Sequence, residues 1–177
     1  LYFSNWGNER EGVYYMRSRD GIHWERGTMI LNATSSSSDT SCSELHAHDV
    51  TLKGPGDVTI FYHDEKTGRY LAAFKFYTRT PVWPGNALRS RAYAFLDRID
   101  EPWDTDQIER LALVPAAAEK NGDMPSDEYY ASTGWRYGSH WLGGLKIWHS
   151  EDDDPYSSDG CAFLKFISSS DGLHWAK

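Results

Sequence analysis

Two copies of one seven-residue pattern decide the fold: Ser18-Arg-Asp-Gly-Ile-His-Trp24 near the start of the chain and Ser169-Ser-Asp-Gly-Leu-His-Trp175 near its end. Asp-Gly is a strong turn signal, because the carboxylate accepts backbone N–H groups and glycine adopts a positive φ. Two matches of this length indicate internal repetition. We therefore interpret the pattern as a structural turn whose tryptophan packs between repeats, and not as a catalytic motif.

The composition bounds the class of protein. The chain has 177 residues, of which 40% are hydrophobic and 15% aromatic, enough for one domain with a substantial core. A net charge of -8 argues against a nucleic-acid partner. No apolar run reaches membrane-spanning length, so we expect no membrane partner. Cys42 and Cys161 lack metal-ligand spacing and could be a disulfide or two thiols.

Glycine and Asp-Gly turns separate short segments rich in Tyr, Phe, Trp, Val and Ile, which is typical of β-sheet. A degenerate copy of the repeated turn, Asp100-Glu-Pro-Trp103, lies between the two full copies. The nearest approach to a helical period, at residues 106–119, predicts a short helix. Strands are predicted at residues 57–64, 69–77, 90–96, 128–137, 140–149 and 161–168.

Grouped by these turns, the strands form three units at residues 1–26, 45–105 and 126–177. Each full unit reads as three long strands, a turn and a short fourth strand, which is typical of β-propeller blades. The predicted fold is therefore an all-β, partial β-propeller in one domain. A propeller closes with four to eight blades, so we expect further blades before Leu1 and after Lys177 or another chain to complete it. Self-assembly of such pieces is the less favoured alternative.

Four stretches resemble the five-bladed β-propeller glycoside hydrolases, which include families 32, 43, 68 and 130. They are GVYYMRSRDGIHWERG (12–27), GDVTIFYHDEKTGRYLAAFKF (56–76), DEYYASTGWRYGSHWLGGLKIWH (127–149) and FLKFISSSDGLHW (163–175). The resemblance implies hydrolysis of glycosidic bonds in an oligosaccharide or polysaccharide by axial carboxylates, without a cofactor. A secreted or periplasmic bacterial protein is favoured. The first-blade carboxylate motif of these families is not in this sequence.

Glycosidic cleavage needs one protonated carboxyl group and a second carboxylate that acts as base or nucleophile. By resemblance, these acids stand on the first strands of different blades. Asp57 opens the first strand of the middle unit and matches the substrate-binding or pKa-tuning acid. Asp127 and Glu128 open the first strand of the last unit and match the acid. The alternatives are a turn residue for Asp57 and a solvated pair for Asp127 and Glu128.

Five further residues are candidates for substrate binding. His48 and Asp49, in the segment Glu44-Leu-His-Ala-His-Asp49, could bind sugar hydroxyls or a metal, for which no third ligand is evident, or could lie on a polar loop. Trp135 and Tyr130 offer aromatic faces for a sugar, against the alternative of plain packing. Arg136 could bind a substrate carboxylate, although an ion-paired position is commoner.

No metal site is predicted. The acidic run at residues 151–154 is more consistent with a solvated turn than with a structural calcium ion. Asp64 is predicted to cap the turn that follows it. Two other functions stay open beside the hydrolase: a non-catalytic carbohydrate-binding propeller and a propeller scaffold for protein partners.

Overall fold

The computed structural model describes residues 2–4, 12–25, 27–32, 58–79, 87–103, 109–113, 127–150 and 159–177. Within these ranges the chain is all-β: it forms thirteen strands and no helix. The strands form several antiparallel sheets, none of which is closed. The predicted all-β class is therefore confirmed.

The first sheet holds three short strands in the order β1-β2-β5. They are β1 (Tyr2–Ser4), β2 (Gly12–Tyr14) and β5 (Met29–Asn32). Between β2 and β5 the chain makes a separate hairpin of β3 (Arg17–Ser18) and β4 (Trp24–Glu25). This hairpin carries the first copy of the repeated turn.

The middle sheet is a four-stranded meander in the order β6-β7-β8-β9. The strands are β6 (Ile60–Asp64), β7 (Arg69–Arg79), β8 (Ala87–Leu96) and β9 (Glu109–Leu113). The prediction of a short helix at residues 106–119 is wrong, because β9 lies inside that range. Pairing with β9 satisfies backbone groups of β8 that would otherwise lie at the edge of the sheet, and it buries Leu113. Together these gains outweigh a weak helical pattern.

The last sheet places β12 at its centre. The strands are β10 (Asp127–Ser132), β11 (Trp135–Tyr137), β12 (His140–Ser150) and β13 (Gly160–Ser169). Both β10 and β11 pair with β12, so the single strand predicted at residues 128–137 is interrupted. The break falls at Gly134, where a Cβ atom would lie 2.9 Å from the side chains of Leu71 and Trp175. Close approach of the two sheets therefore requires glycine there.

The three sheets are stacked, with one apolar layer on each side of the middle sheet. In the first layer, residues of the first sheet meet one face of the middle sheet: Val13, Ile30, Leu31, Ala72, Phe74, Ala92, Ala94, Leu96 and Trp103. In the second layer, the opposite face of the middle sheet meets the last sheet: Leu71, Ala73, Tyr93, Leu113, Tyr129, Trp141, Leu145, Ile147, Ile167 and Trp175. Alternation along the strands sends side chains to both layers.

The two repeated turns have the same hydrogen bonds. Oδ1 of Asp20 accepts from two backbone N–H groups at 2.8 and 2.7 Å, and Oδ1 of Asp171 accepts from the equivalent two at 2.8 and 2.8 Å. The glycines that follow adopt positive φ, 76° at Gly21 and 85° at Gly172. The predicted structural role of the aspartate and the glycine is confirmed.

The two tryptophans of these turns differ. Trp175 is 8% exposed in the layer between the middle and last sheets, as predicted. Trp103, of the degenerate copy, is equally buried between the first and middle sheets. Trp24 is 56% exposed, so its predicted packing between repeats is wrong. Trp103 belongs to the middle sheet and lies against the first sheet, and Trp175 belongs to the last sheet and lies against the middle sheet. No described strand precedes the first sheet in the position that would cover Trp24.

Candidate functional site

Glu128, near the start of β10, is a buried carboxyl group at the junction of two sheets. Its side chain meets Arg89 of β8: the backbone N–H of Arg89 donates to Oε1 at 3.1 Å, and the guanidinium Nη1 donates to Oε2. Glu128 is 1% exposed. Burial raises the pKa of Glu128 above its ordinary value, and the Arg89 guanidinium opposes part of that rise.

Asp127 lies beside Glu128 in sequence but faces the opposite way. It pairs across the sheet with His149, and Oδ1 lies 3.0 Å from Nδ1 of that histidine. Successive residues of a strand point to opposite faces, so the carboxyl groups of Asp127 and Glu128 do not converge on one point. They are therefore two separate buried acids, and the alternative of a solvated pair is wrong.

Tyr130 follows two residues after Glu128, at a bulge of β10. Three cations surround its ring. Relative to the ring centroid, the Cζ atom of Arg89 lies at 4.9 Å, Nζ of Lys146 at 5.0 Å and Nζ of Lys75 at 5.5 Å. These distances are typical of cation–π contacts. Two of the three cations, Arg89 and Lys75, also favour the charged form of Glu128.

Arg91 fixes the position of β10 against the middle sheet. It is fully buried, and its Nε donates to the Ser132 hydroxyl at 2.9 Å while Nη2 donates to the Val58 carbonyl at 3.1 Å. Arg89 and Arg91 alternate on β8, the spacing that puts two side chains on one face. Arg89 and Arg91 were not among the predicted site residues, although their alternation along β8 is the sequence signal for this basic side of the site.

Arg136, predicted to bind substrate, forms an ion pair within the protein. Its Nη2 lies 2.8 Å from Oδ2 of Asp64, its Nε lies 2.9 Å from Oδ1, and its guanidinium stacks 4.4 Å from the Trp141 ring centroid. Asp64 also accepts from Lys66 N–H and the Thr67 hydroxyl, so its predicted role in capping the turn is confirmed. A substrate contact of Arg136 stays a prediction.

Trp135 lies on the outer face of the last sheet, away from Glu128. Its ring meets Phe166 edge-on at 6.4 Å between centroids. The remaining predicted site residues, His48, Asp49 and Asp57, lie outside the described residues, as does the acidic run 151–154. The structure thus brings together Glu128 and Tyr130 and keeps both apart from Asp127, Trp135 and Arg136.

The described ranges contain no group of three His, Cys, Asp or Glu side chains arranged to hold a metal ion. They also contain no helix long and apolar enough to cross a membrane. Cys161 is an exposed thiol, and Cys42 lies outside the described residues.

Comparison of the chain with protein families, with curated proteins and with solved structures finds no significant match.

Proposed function

We propose that the chain is part of a β-propeller carbohydrate-active enzyme that hydrolyses glycosidic bonds, with Glu128 as the proton donor. One observation carries the proposal: Glu128 is a carboxyl group that is almost fully buried and whose pKa is raised. A glycosidase needs such an acid, because the leaving oxygen must be protonated near neutral pH, where an ordinary carboxyl group is ionised.

Arg89 can stabilise Glu128 after the carboxyl group has given its proton to the leaving oxygen. Once Glu128 has donated its proton, a carboxylate remains in a buried site, which is costly unless it is paired. The Arg89 guanidinium and the Arg89 backbone N–H already bind its two oxygens. Charge-assisted hydrogen bonds of this kind stabilise the carboxylate product and hold the carboxyl group in one orientation.

Two features offer contacts for a sugar. Tyr130 provides an aromatic face beside Glu128, and aromatic faces pack against the apolar face of a sugar ring. The Nε of Arg89 is buried without a hydrogen-bond partner among the described residues, so one donor remains for a hydroxyl group. Asp57 stays the predicted second acid of the pair.

The stacking of the three sheets supports a β-propeller. The middle sheet is an antiparallel meander, and the last sheet has the same strand order with an interrupted first strand. The three sheets lie face to face with tryptophans between them. Repeated meanders packed in this manner are typical of propeller blades. The five-bladed type follows from the resemblance alone.

A non-catalytic carbohydrate-binding propeller is the second candidate. It is favoured by the engagement of both Glu128 oxygens by Arg89, which also suits a permanent structural ion pair. Such a protein would keep the aromatic contact of Tyr130 and bind sugars without cleaving them.

The test is the substitution Glu128→Gln in the complete protein, assayed on glycosides with poor and good leaving groups. We expect alkyl glycosides to be hydrolysed about 10²–10⁴-fold more slowly, because general acid help is lost. The rate of hydrolysis of dinitrophenyl glycosides, whose leaving group needs no proton, should fall much less. The control Glu25→Gln alters an exposed glutamate paired with Arg17 and should change neither rate.

Because the buried pair contributes to folding, Arg89→Met provides a second variant. It removes the charge that opposes protonation of Glu128, so the alkaline limb of the pH–rate profile should move to higher pH. Equal loss on both substrate types, together with an unmoved alkaline limb, would remove Glu128 as the acid. Binding of oligosaccharides by calorimetry without hydrolysis would favour the second candidate.

A further inference from the structure

The outer face of the last sheet carries large apolar side chains that are open to solvent. Phe166 is 65% exposed and Leu164 is 77% exposed, and Trp135 lies against Phe166. These three residues belong to two strands that flank β12 on either side. An apolar face of this kind on a stacked sheet indicates a surface that another element covers.

This outer face has the same register as a face that is already covered. In the middle sheet, the pair nearest the β6–β7 turn is Asp64↔Arg69. In the last sheet, the pair nearest the β11–β12 turn is Tyr137↔His140. Superposing these two pairs aligns the two sheets residue by residue. The aligned positions, middle sheet first, are Tyr62 and Trp135, Leu71 and Leu142, and Tyr93 and Phe166.

The matching face of the middle sheet shows what such a surface binds. There Trp175, at the end of a repeated turn, stacks on Tyr93 with ring centroids 4.8 Å apart and planes 25° apart. Leu173, from the same turn, packs partly against that layer. Phe166 occupies the position in the last sheet that Tyr93 occupies in the middle sheet. The outer face therefore offers an aromatic ring on which a second tryptophan, from a turn of the same kind, could stack.

The chain also carries an unused turn of that kind. Trp24 is 56% exposed and Ile22, the counterpart of Leu173, is exposed as well. The turn itself is already formed, since its hydrogen bonds reproduce those of the buried copy. Binding would therefore cost little conformational entropy in the turn.

We propose that the outer face of the last sheet binds the turn at residues 17–25 of a second copy of the chain, with Trp24 stacking on Phe166. The contact continues the stacking of the first, middle and last sheets from one molecule into the next. It is heterologous, because each copy offers its turn at one end and its apolar face at the other. This inference does not depend on the proposed hydrolase activity. The second copy takes the place of the further blades or other chain expected to complete the propeller.

The association is tested by sedimentation of the full chain over a range of concentrations. The wild type should form species larger than a monomer. Trp24→Ala and Phe166→Ser should each raise the dissociation constant at least about tenfold, as truncation of an aromatic anchor does. Phe163→Ser, on the opposite face of the same strand, is the matched control and should leave association unchanged.

A mixture of the two variants tests the head-to-tail geometry. Trp24→Ala keeps an intact face and Phe166→Ser keeps an intact turn, so an equimolar mixture should form a 1:1 dimer that neither forms alone. Leu164→Ser provides a second variant of the face. A wild type that stays monomeric, a mixture that stays monomeric, or undiminished association of Trp24→Ala would each overturn the proposal, the last in favour of two apolar faces pairing symmetrically.

Discussion

The indole of Trp175 stacks on the phenol ring of Tyr93, with ring centroids 4.8 Å apart. Trp175 follows the last strand of the last sheet, whereas Tyr93 lies in β8 of the middle sheet. The indole Nε1 also donates to the Gly172 carbonyl at 2.9 Å, so the ring is held by its own turn as well as by the neighbouring sheet. One side chain thus fastens the repeated turn to the preceding sheet.

Truncating this tryptophan should destabilise the protein far more than truncating its counterpart. We expect Trp175→Ala to lower the free energy of unfolding by about 3–5 kcal/mol, because a large buried ring leaves a cavity. Trp24→Ala should cost about 1 kcal/mol or less, since Trp24 is mostly exposed. Urea unfolding at low protein concentration measures both. Equal losses would mean that burial of Trp175 is not what stabilises the stack.

The two glycines of the repeated turns form a second matched pair. Both Gly21→Ala and Gly172→Ala incur the cost of a positive φ, roughly 1–2 kcal/mol. Only at Gly172 would the new Cβ atom crowd a neighbour, since it would lie 2.8 Å from Cζ of Phe95, whereas nothing lies within 4 Å at Gly21. We expect Gly172→Ala to cost a further ~1–3 kcal/mol. Thermal unfolding of the two variants decides, and a smaller loss at Gly172 would contradict the packing described.

The ion pair between Asp64 and Arg136 should make stability depend on acid pH. The hydrogen bond from Arg136 lowers the pKa of Asp64 from 3.8 to about 2 in the folded protein. The folded state therefore holds the charged form more tightly than the unfolded chain does. Its contribution is present above about pH 4 and is lost as the pH falls from about 4 to 2.

The variant Asp64→Asn isolates this effect. It should cost about 2–3 kcal/mol near neutral pH and flatten the stability profile between about pH 4 and 2. Asp97→Asn removes an exposed carboxylate 2.6 Å from Arg69 and is the control, with an expected loss under about 1 kcal/mol. Chemical unfolding at a series of pH values gives both numbers. A variant profile as steep as that of the wild type would be inconsistent with the pair.

Tyr93 should limit stability at alkaline pH. Burial raises the pKa of Tyr93 from 10 to about 12, because the phenolate is poorly solvated between the sheets. The unfolded chain ionises first, so stability should fall as the pH rises from about 10 to 12. Tyr93→Phe keeps the ring and should remove that part of the slope. An unaltered slope in the variant would assign it to other groups.

The sequence alone determined the class of the fold and the nature of its turns. Short segments rich in aromatic and β-branched residues between glycine and Asp-Gly turns predicted strands β6, β7, β8, β12 and β13 within a few residues, because strand composition and turn signals are local features of the chain. The hydrogen bonds of Asp20 and Asp171 were predictable for the same reason, since each aspartate binds backbone groups two and three residues away.

Burial was decided only by the tertiary structure. Trp24 and Trp175 end the same seven-residue pattern, yet Trp24 is exposed and Trp175 is buried. The difference arises because the middle sheet packs against the turn that carries Trp175. The ion pair of Glu128 with Arg89 joins residues 39 positions apart, a distance at which no local pattern operates. Which acid is buried, and which partner it meets there, depends on how separate sheets pack.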